Sequence, residues 1–324
     1  MHIQEAFNLI RDDILRVEAE FKKNLDSDVY LIKKVGEYIL TSGGKRLRPL
    51  VLLLSSRLCG YGGSIHIPMS VVVEFIHTAT LLHDDVVDNA DLRRGNASAN
   101  SLWGNGSSVL VGDYLLSKAF YLAVKQGDMR ILQILSDTTT RMAEGEVLQL
   151  IKHSDIETTE EEYLNVITNK TAVLFSASCR IPAILAGMDT EREEALAGYG
   201  MELGIAYQLM DDCLDYTSKD ECLGKTIGND LREGKVTMPL IKACRDATPG
   251  EREIMREAIE ADDVDRERLE EVLAIIKKYG GIEYTTAFAK ERIEKAKKYL
   301  DPFDPDTERA SLAAVADYVI ERTS

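Results

Sequence analysis

Proline is scarce in this 324-residue chain, at seven residues, and aromatic side chains make up only 6 %. Strand-like alternation of β-branched and aromatic residues is equally thin, which argues against an all-β sandwich or barrel. Cysteine is too sparse and too scattered for a disulfide framework or a structural zinc site. There are five (Cys59, Cys179, Cys213, Cys222, Cys244), an odd number with no CxxC pair, a pattern that fits reduced thiols in a cytoplasmic protein. No apolar run approaches the ~18–20 residues of a membrane helix. The first residues, Met1 to Phe7, carry no basic stretch followed by an apolar one, so neither an integral membrane segment nor a signal peptide is expected. Basic charge is also in deficit. Lys and Arg total 39 against 55 Asp and Glu, a formal net charge of −16, which excludes nucleic acid as the expected partner because phosphate backbones need net basic surfaces. What is present is 45 % hydrophobic residues, ample for a large core. The question becomes whether the surplus carboxylates all face water or some converge on a metal.

Helical spacing of apolar residues runs through the whole chain. Ile3, Phe7, Ile10, Ile14, Val17 and Phe21 form one stripe over 3–25. Further helices are expected at 30–41, 49–59, 68–90, 107–126, 128–150, 160–186, 191–217, 234–247, 251–261, 265–279, 281–299 and 306–322. Connections are short, and no Ser/Pro-rich linker, repeat or low-complexity tract marks a boundary. The expectation is one all-α domain over 1–324. Stretches such as Val71–His83 and Ala172–Ala186 are apolar on most faces, as in helices buried inside a bundle. Helices of about 20 residues span about 30 Å, enough to enclose a long apolar slot.

Two of these helices end in the pattern DDxxD: Asp84, Asp85 and Asp88, then Asp211, Asp212 and Asp215. Residues three and four apart share a helix face. Three crowded carboxylates at a helix C-terminus repel one another and oppose the helix dipole. A single such cluster is often a solvated face. Two, each closing an apolar helix, point to Mg²⁺, which is held by a few carboxylates together with substrate phosphates. A cationic counterpart exists. Lys45, Arg46 and Arg48 follow Gly43-Gly44 at the start of a helix, where free N–H groups favour phosphate. Arg93 and Arg94 follow the first cluster, and Lys225 and Lys235 follow the second. His77 lies seven residues before Asp84, on nearly the same stripe and about 10 Å away. A lone His in an apolar helix is commonly a hydrogen-bonded core residue, and a donor to diphosphate is the competing role. Gln208 precedes Asp211 and Asp212 by three and four residues and points the same way.

Taken together, GGKRLRP at 43–49, EFIHTATLLHDDVVD at 74–88, LRRG at 92–95, VGDYLLSKAF at 111–120, NKTA at 169–172, YQLMDDCLDY at 207–216 and GKTIGNDLREGKVTMPL at 224–240 resemble the trans-isoprenyl diphosphate synthases over nearly the whole chain. The fit is best to the long-chain, octaprenyl-type branch that supplies quinone side chains. Tyr207 stands where many members have Phe. The resemblance implies a large helical bundle of the isoprenoid synthase type around a central apolar cavity. It implies three Mg²⁺ on an allylic diphosphate, held by Asp84, Asp85, Asp88, Asp211, Asp212 and Asp215. Arg93, Lys170, Lys225 and Lys235 would add cationic contacts, and Lys45, Arg48, His77 and Arg94 would bind isopentenyl diphosphate. Thr171 and Gln208 would stabilise the developing allylic cation, and the departing diphosphate would take the proton. Farnesyl or geranylgeranyl diphosphate is the implied primer. Small residues at Ala79 and Thr80 would leave the product channel open, with Ile76 deeper, Leu135 at the floor and Ala123 close by. The implied product is C35–C50, with C40 central, made by a homodimer to which 107–126 contributes and passed on to a membrane. The competing readings are a shorter-chain, geranylgeranyl-type synthase, a class I terpene cyclase and a non-catalytic subunit of a heteromeric synthase.

Overall fold

The structure is a computed structural model that describes residues 2–41, 44, 46–93, 95–217, 228–261 and 264–322. Lys45, Arg94, Lys225 and Cys222 lie outside the described residues. The chain divides into two compact units. The first comprises Met1–Thr139, Leu174–Gly200 and Tyr299–Val315, and the second Thr140–Val173, Met201–Lys298 and Ala316–Ser324.

In chain order the elements are α1 (Ile3–Leu9), α2 (Arg11–Leu25), α3 (Tyr30–Thr41), α4 (Leu47–Leu58), α5 (His66–Val87), β1 (Leu92–Arg93), β2 (Asn96–Ala97), α6 (Ala99–Trp103), α7 (Asn105–Gln126), α8 (Met129–Ile151) and α9 (Glu160–Ile167). A π turn (Thr168–Ala172) follows, then α10 (Val173–Leu185), α11 (Thr190–Thr217), α12 (Asn229–Arg232), α13 (Met238–Asp246), α14 (Pro249–Ile259), α15 (Arg266–Lys278), α16 (Gly281–Lys298) and α17 (Thr307–Glu321). The fold is all-α, as the apolar periodicity predicts. Two expected helices are interrupted. The helix over 3–25 breaks at Ile10, whose backbone (φ −114°, ψ 17°) leaves the helical range. The helix over 160–186 contains the π turn. A two-residue hairpin, Leu92 opposite Ala97 and Arg93 opposite Asn96, joins α5 to α6.

The first unit is built on α5. Val71, Val72, Val73, Phe75, Ile76 and Ala79 are buried on it, each worth roughly 1–3 kcal/mol of burial according to size. It packs against α7, α4 and α2, with the Phe75 ring edge-on to Phe21 at 4.6 Å. Its close approach to α7 depends on Gly112, since a Cβ there would collide with the His83 imidazole. Ser108 Oγ donates to the Leu82 carbonyl across the same seam at 3.0 Å. In the second unit α13 packs on α16, α15 and α9. The π turn lies flush on α8 because residue 145 is Gly; a Cβ there would stand 2.5 Å from the Lys170 nitrogen.

Candidate active site

In the first unit, α5 carries Asp84 and Asp85 in its last turn, and Asp88 caps it, its N–H donating to the Asp84 carbonyl at 2.8 Å. Glu74, His77, Leu81, Asp84 and Asp88 are half-buried at helical spacing, so His77 shares the aspartate stripe as its spacing predicts. Thr80 is half-buried too, and its hydroxyl donates to the His77 carbonyl at 2.8 Å. Asp85 is buried and receives Arg93 Nε at 2.5 Å. The hairpin delivers that guanidinium. It is held by Tyr38, whose hydroxyl donates to the Ala97 carbonyl at 2.6 Å, and by Ser98, whose Oγ donates to the Ala90 carbonyl at 2.6 Å. Ser98 also caps α6, and Asn100 Nδ2 donates to the Asp85 carbonyl at 3.1 Å. Arg48 sits in the first turn of α4, its guanidinium 4.5 Å from the centroid of Phe175. Arg46 before it holds a left-handed backbone (φ 45°), a strained state for a residue with a Cβ.

In the second unit, Asp212 on α11 is buried, and both its oxygens are occupied. Tyr163 O–H donates to Oδ2. Gln208 Nε2 donates to Oδ1 at 2.9 Å. The other end of that amide, Oε1, accepts from Thr171 Oγ1 at 3.0 Å. Burial, reinforced by the charges of Asp211 and Asp215, pushes the Asp212 carboxyl up to about 7 despite these donors. Asp211 is half-exposed and pairs with Arg322 Nη1 at 3.3 Å. Arg322 comes from the residue after α17, is itself buried, lies over the Tyr207 ring at 4.0 Å and donates to the Tyr207 carbonyl at 2.7 Å. Asp215 anchors the chain entering α12. Its carbonyl accepts from Gly228 N–H at 3.0 Å and its Oδ2 from Asp230 N–H at 3.1 Å. Gly228 holds φ 74° there, which glycine tolerates without a steric penalty. Burial, then the neighbouring Asp215 and Asp212 charges, raise the Asp230 carboxyl, while Lys235 opposes them. Lys170, in the π turn, pairs with Glu146 at 2.6 Å, and Lys235 pairs with Glu233 at 2.7 Å. Short π segments in α-helices cluster at functional sites, and this one carries Lys170 and Thr171.

Residues 29–276 match the family described as polyprenyl synthetase. The chain belongs to the polyprenyl synthetase family. It is 44 % identical over 323 residues to the octaprenyl diphosphate synthase of Escherichia coli, covering 99 % of both chains. Among solved structures it superposes on a polyprenyl synthase from Caulobacter crescentus, complexed with calcium and isoprenyl diphosphate, at TM-score 0.96 and 39 % identity, covering 99 % of this chain and 98 % of that one. A decaprenyl diphosphate synthase from Rhodobacter capsulatus aligns at TM-score 0.93 and 42 % identity over 99 % of each chain. The protein is a long-chain trans-polyprenyl diphosphate synthase, a prenyltransferase.

As a polyprenyl synthetase the chain shows a recurrent pairing. Arg93, Lys170, Lys235 and Arg322 each hold a carboxylate, on Asp85, Glu146, Glu233 and Asp211 respectively. Among the described residues no three His, Cys, Asp or Glu side chains gather as a ready metal cage. The six aspartates of the two clusters offer oxygen donors alone, the kind Mg²⁺ takes together with water and substrate phosphate. The donor chemistry therefore fits that ion. Of the residues assigned to product length, Thr80 is half-buried, whereas Ile76, Ala79, Ala123 and Leu135 are buried. Sequence reasoning missed Tyr163 and Arg322, both distant in the chain from the aspartates they touch. Asp230 stood inside a quoted motif, and its Gly-Asn-Asp turn was the available signal.

Proposed function

We propose that this enzyme condenses isopentenyl diphosphate repeatedly onto farnesyl or geranylgeranyl diphosphate to give an all-trans product of C35–C50, centred on C40, for quinone side chains. The carrying observation is the end-to-end 44 % identity to an octaprenyl diphosphate synthase, with both aspartate clusters in place. Asp84, Asp85 and Asp88 with Asp211, Asp212 and Asp215 would hold Mg²⁺, three ions with substrate bound, and bound Mg²⁺ supplies neutralisation of the leaving diphosphate. Arg93, Lys170 and Lys235 would exchange their present carboxylate partners for diphosphate oxygens, and Lys225 would add a further cationic contact. Lys45, Arg48, His77 and Arg94 would hold isopentenyl diphosphate so that its double bond meets the allylic carbon. Thr171 and Gln208 oxygens would face the cation left by C–O cleavage, and the apolar helices would keep water from it. The departing diphosphate would remove the proton.

We read the two compact units as one catalytic domain, because α8, α11 and α17 carry the chain from one to the other without interruption. A homodimer is part of the proposal, supported by the exposed apolar side chains Val109, Leu110, Tyr121 and Val124 on α7. So is a cytoplasmic location, supported by the free, buried thiols of Cys59, Cys179, Cys213 and Cys244. No helix among the described residues is long and apolar enough to cross a membrane. The product would be passed on to one.

The test is turnover of the purified chain alone with farnesyl diphosphate, radiolabelled isopentenyl diphosphate and Mg²⁺, with products separated by length. A ladder ending near C40 supports the reading. Products ending at C20, or a requirement for a second protein, overturn it. Thr80→Phe should shorten the product, and an unchanged length removes Thr80 from the channel.

A further inference from the structure

We propose that Tyr163 and Asp212 fix the direction of a hydrogen-bond chain that makes Thr171 present its oxygen lone pairs, and never its proton, to the reacting allylic carbon. The inference rests on the prenyl-transfer reading above and revises it at one residue: Asp212 takes an orienting role in place of the metal-ligand role given to it there, and Tyr163 a positioning one. It follows from the order of donors and acceptors. In its ionised form, which the donors Tyr163 and Gln208 favour and which prevails on the alkaline side of neutrality, the Asp212 carboxylate only accepts, so the group facing its Oδ1 has to be the NH₂ end of Gln208, at 2.9 Å. Turned the other way, the amide would set oxygen against oxygen. With its NH₂ committed, Gln208 faces Thr171 with Oε1, at 3.0 Å. A carbonyl oxygen only accepts, so the Thr171 hydroxyl is the donor. Its single proton is spent on Gln208, and its lone pairs remain for whatever lies beyond.

The chain is locked at each link. Gln208 and Asp212 are four residues apart on one helix, which places their side chains together. Thr171 and Asp212 are 7 % and 3 % exposed, so neither group can swing out to bulk water. Tyr163 closes the far end. Its O–H donates to Oδ2 and pins the carboxylate plane, so that Oδ1 stays turned to Gln208. The π turn fixes Thr171 itself, seated against α8 at Gly145. A hydroxyl free to rotate would have to turn its lone pairs toward the cation as the charge forms. A directed one stabilises positive charge without reorganising at the moment of reaction. Because Gln208 and Tyr163 occupy both carboxylate oxygens, Asp212 is better placed to orient this chain than to ligate a metal.

The test exploits direction. Gln208→Glu sets two carboxylates against each other and should lower kcat by roughly 100-fold or more, the range found for lost preorganised donors. Adding Asp212→Asn restores the order with the groups exchanged. The new Asn N–H donates to the Glu, Thr171 still donates to that Glu, and Tyr163 donates to the Asn oxygen. The double variant should regain at least about tenfold over Gln208→Glu alone. A double variant no faster than the single overturns the proposal, because a metal-ligating Asp212 gains nothing from the exchange. Tyr163→Phe supplies a second arm. Its kcat should fall about tenfold, while the Mg²⁺-dependent affinity for an unreactive allylic thiolodiphosphate, measured by calorimetry, stays at the wild-type value. Loss of that affinity in step with kcat, or an unchanged kcat, overturns the positioning role. Wild-type turnover is run alongside. Its absence would sink the prenyl-transfer reading itself, whereas its presence without recovery in the double variant sinks only this inference.

Discussion

The two aspartate clusters are spelled alike and both lie near the C-terminal end of an apolar helix, yet their buried members are held in opposite ways. Asp85 meets a guanidinium, Arg93, delivered from eight residues away by a hairpin. Among the described residues Asp212, buried to the same degree, meets only neutral donors, one of them, Tyr163, 49 residues distant. The first cluster neutralises its buried charge locally and keeps it as an ion pair. Among the described residues the second sets no cation on its buried carboxyl, and burial raises that carboxyl toward neutrality instead. Its cation, Arg322, is placed on the half-exposed Asp211. One sequence pattern thus yields two electrostatic environments, and the difference is set by the chain that returns to each helix.

The widest effect separates the clusters from their surroundings. Asp84→Ala and Asp211→Ala should each lower kcat by about 10³-fold, as expected when a metal ligand for the leaving diphosphate is removed. Near-normal turnover in either variant removes that residue from the metal site. Thermal melting should then tell the two apart. Asp84→Ala relieves repulsion with neighbouring carboxylates at a helix C-terminus, so its Tm should hold. Asp211→Ala leaves the buried Arg322 guanidinium without its carboxylate. Since Asp211 is half-exposed, the expected loss is on the order of 1 kcal/mol, a fall of a few degrees.

Legibility in the sequence followed the same division between local and distant. Nearly every helix could be read, because apolar spacing is a local signal, and the stripe joining His77 to Asp84 could be read for the same reason. The break at Ile10 could not, since neither Pro nor Gly marks it. Nor could the π turn, because one extra residue in a helical turn leaves the composition of TNKTA unremarkable. Arg93 was found because it follows its aspartate closely. Tyr163 and Arg322 were not, because residue type at such separation carries no pairing information. Tyr207, visible only as a departure from the family's common Phe, gains a physical role from Arg322, which lies over its ring and bonds its carbonyl.

A smaller effect tests that buried carboxyl directly. The Asp212 carboxyl rises from 3.8 to about 7 on folding. A carboxyl raised in the folded state binds its proton more tightly there. Its contribution to stability is therefore full below about pH 4 and lost as pH rises toward 7. Metal-free protein should accordingly become easier to unfold in urea between pH 5 and pH 8, by roughly 2 kcal/mol from this group. Asp212→Asn should flatten that slope. A slope unchanged in Asp212→Asn would assign the pH dependence elsewhere, with the raised Asp230 as the next group to substitute.

The smallest expected effect concerns the two guanidiniums. Arg322 at 3.3 Å from Asp211 and Arg93 at 2.5 Å from Asp85 occupy carboxylate oxygens that a divalent ion would also use under the metal assignment proposed above, in which each cation would compete with metal at its own cluster. Arg322→Gln keeps a donor for the Tyr207 carbonyl while removing the charge. It should lower the Mg²⁺ concentration for half-maximal occupancy, read by calorimetry without substrate, by about threefold, an energy below 1 kcal/mol. Arg93→Gln should shift the same titration less, because Asp85 is buried and, stripped of its ion pair, is costly to keep ionised. A larger shift from Arg93→Gln would mean that the buried ion pair, rather than the half-exposed one, is what metal has to displace, and would reverse the ranking of the two clusters as points of entry.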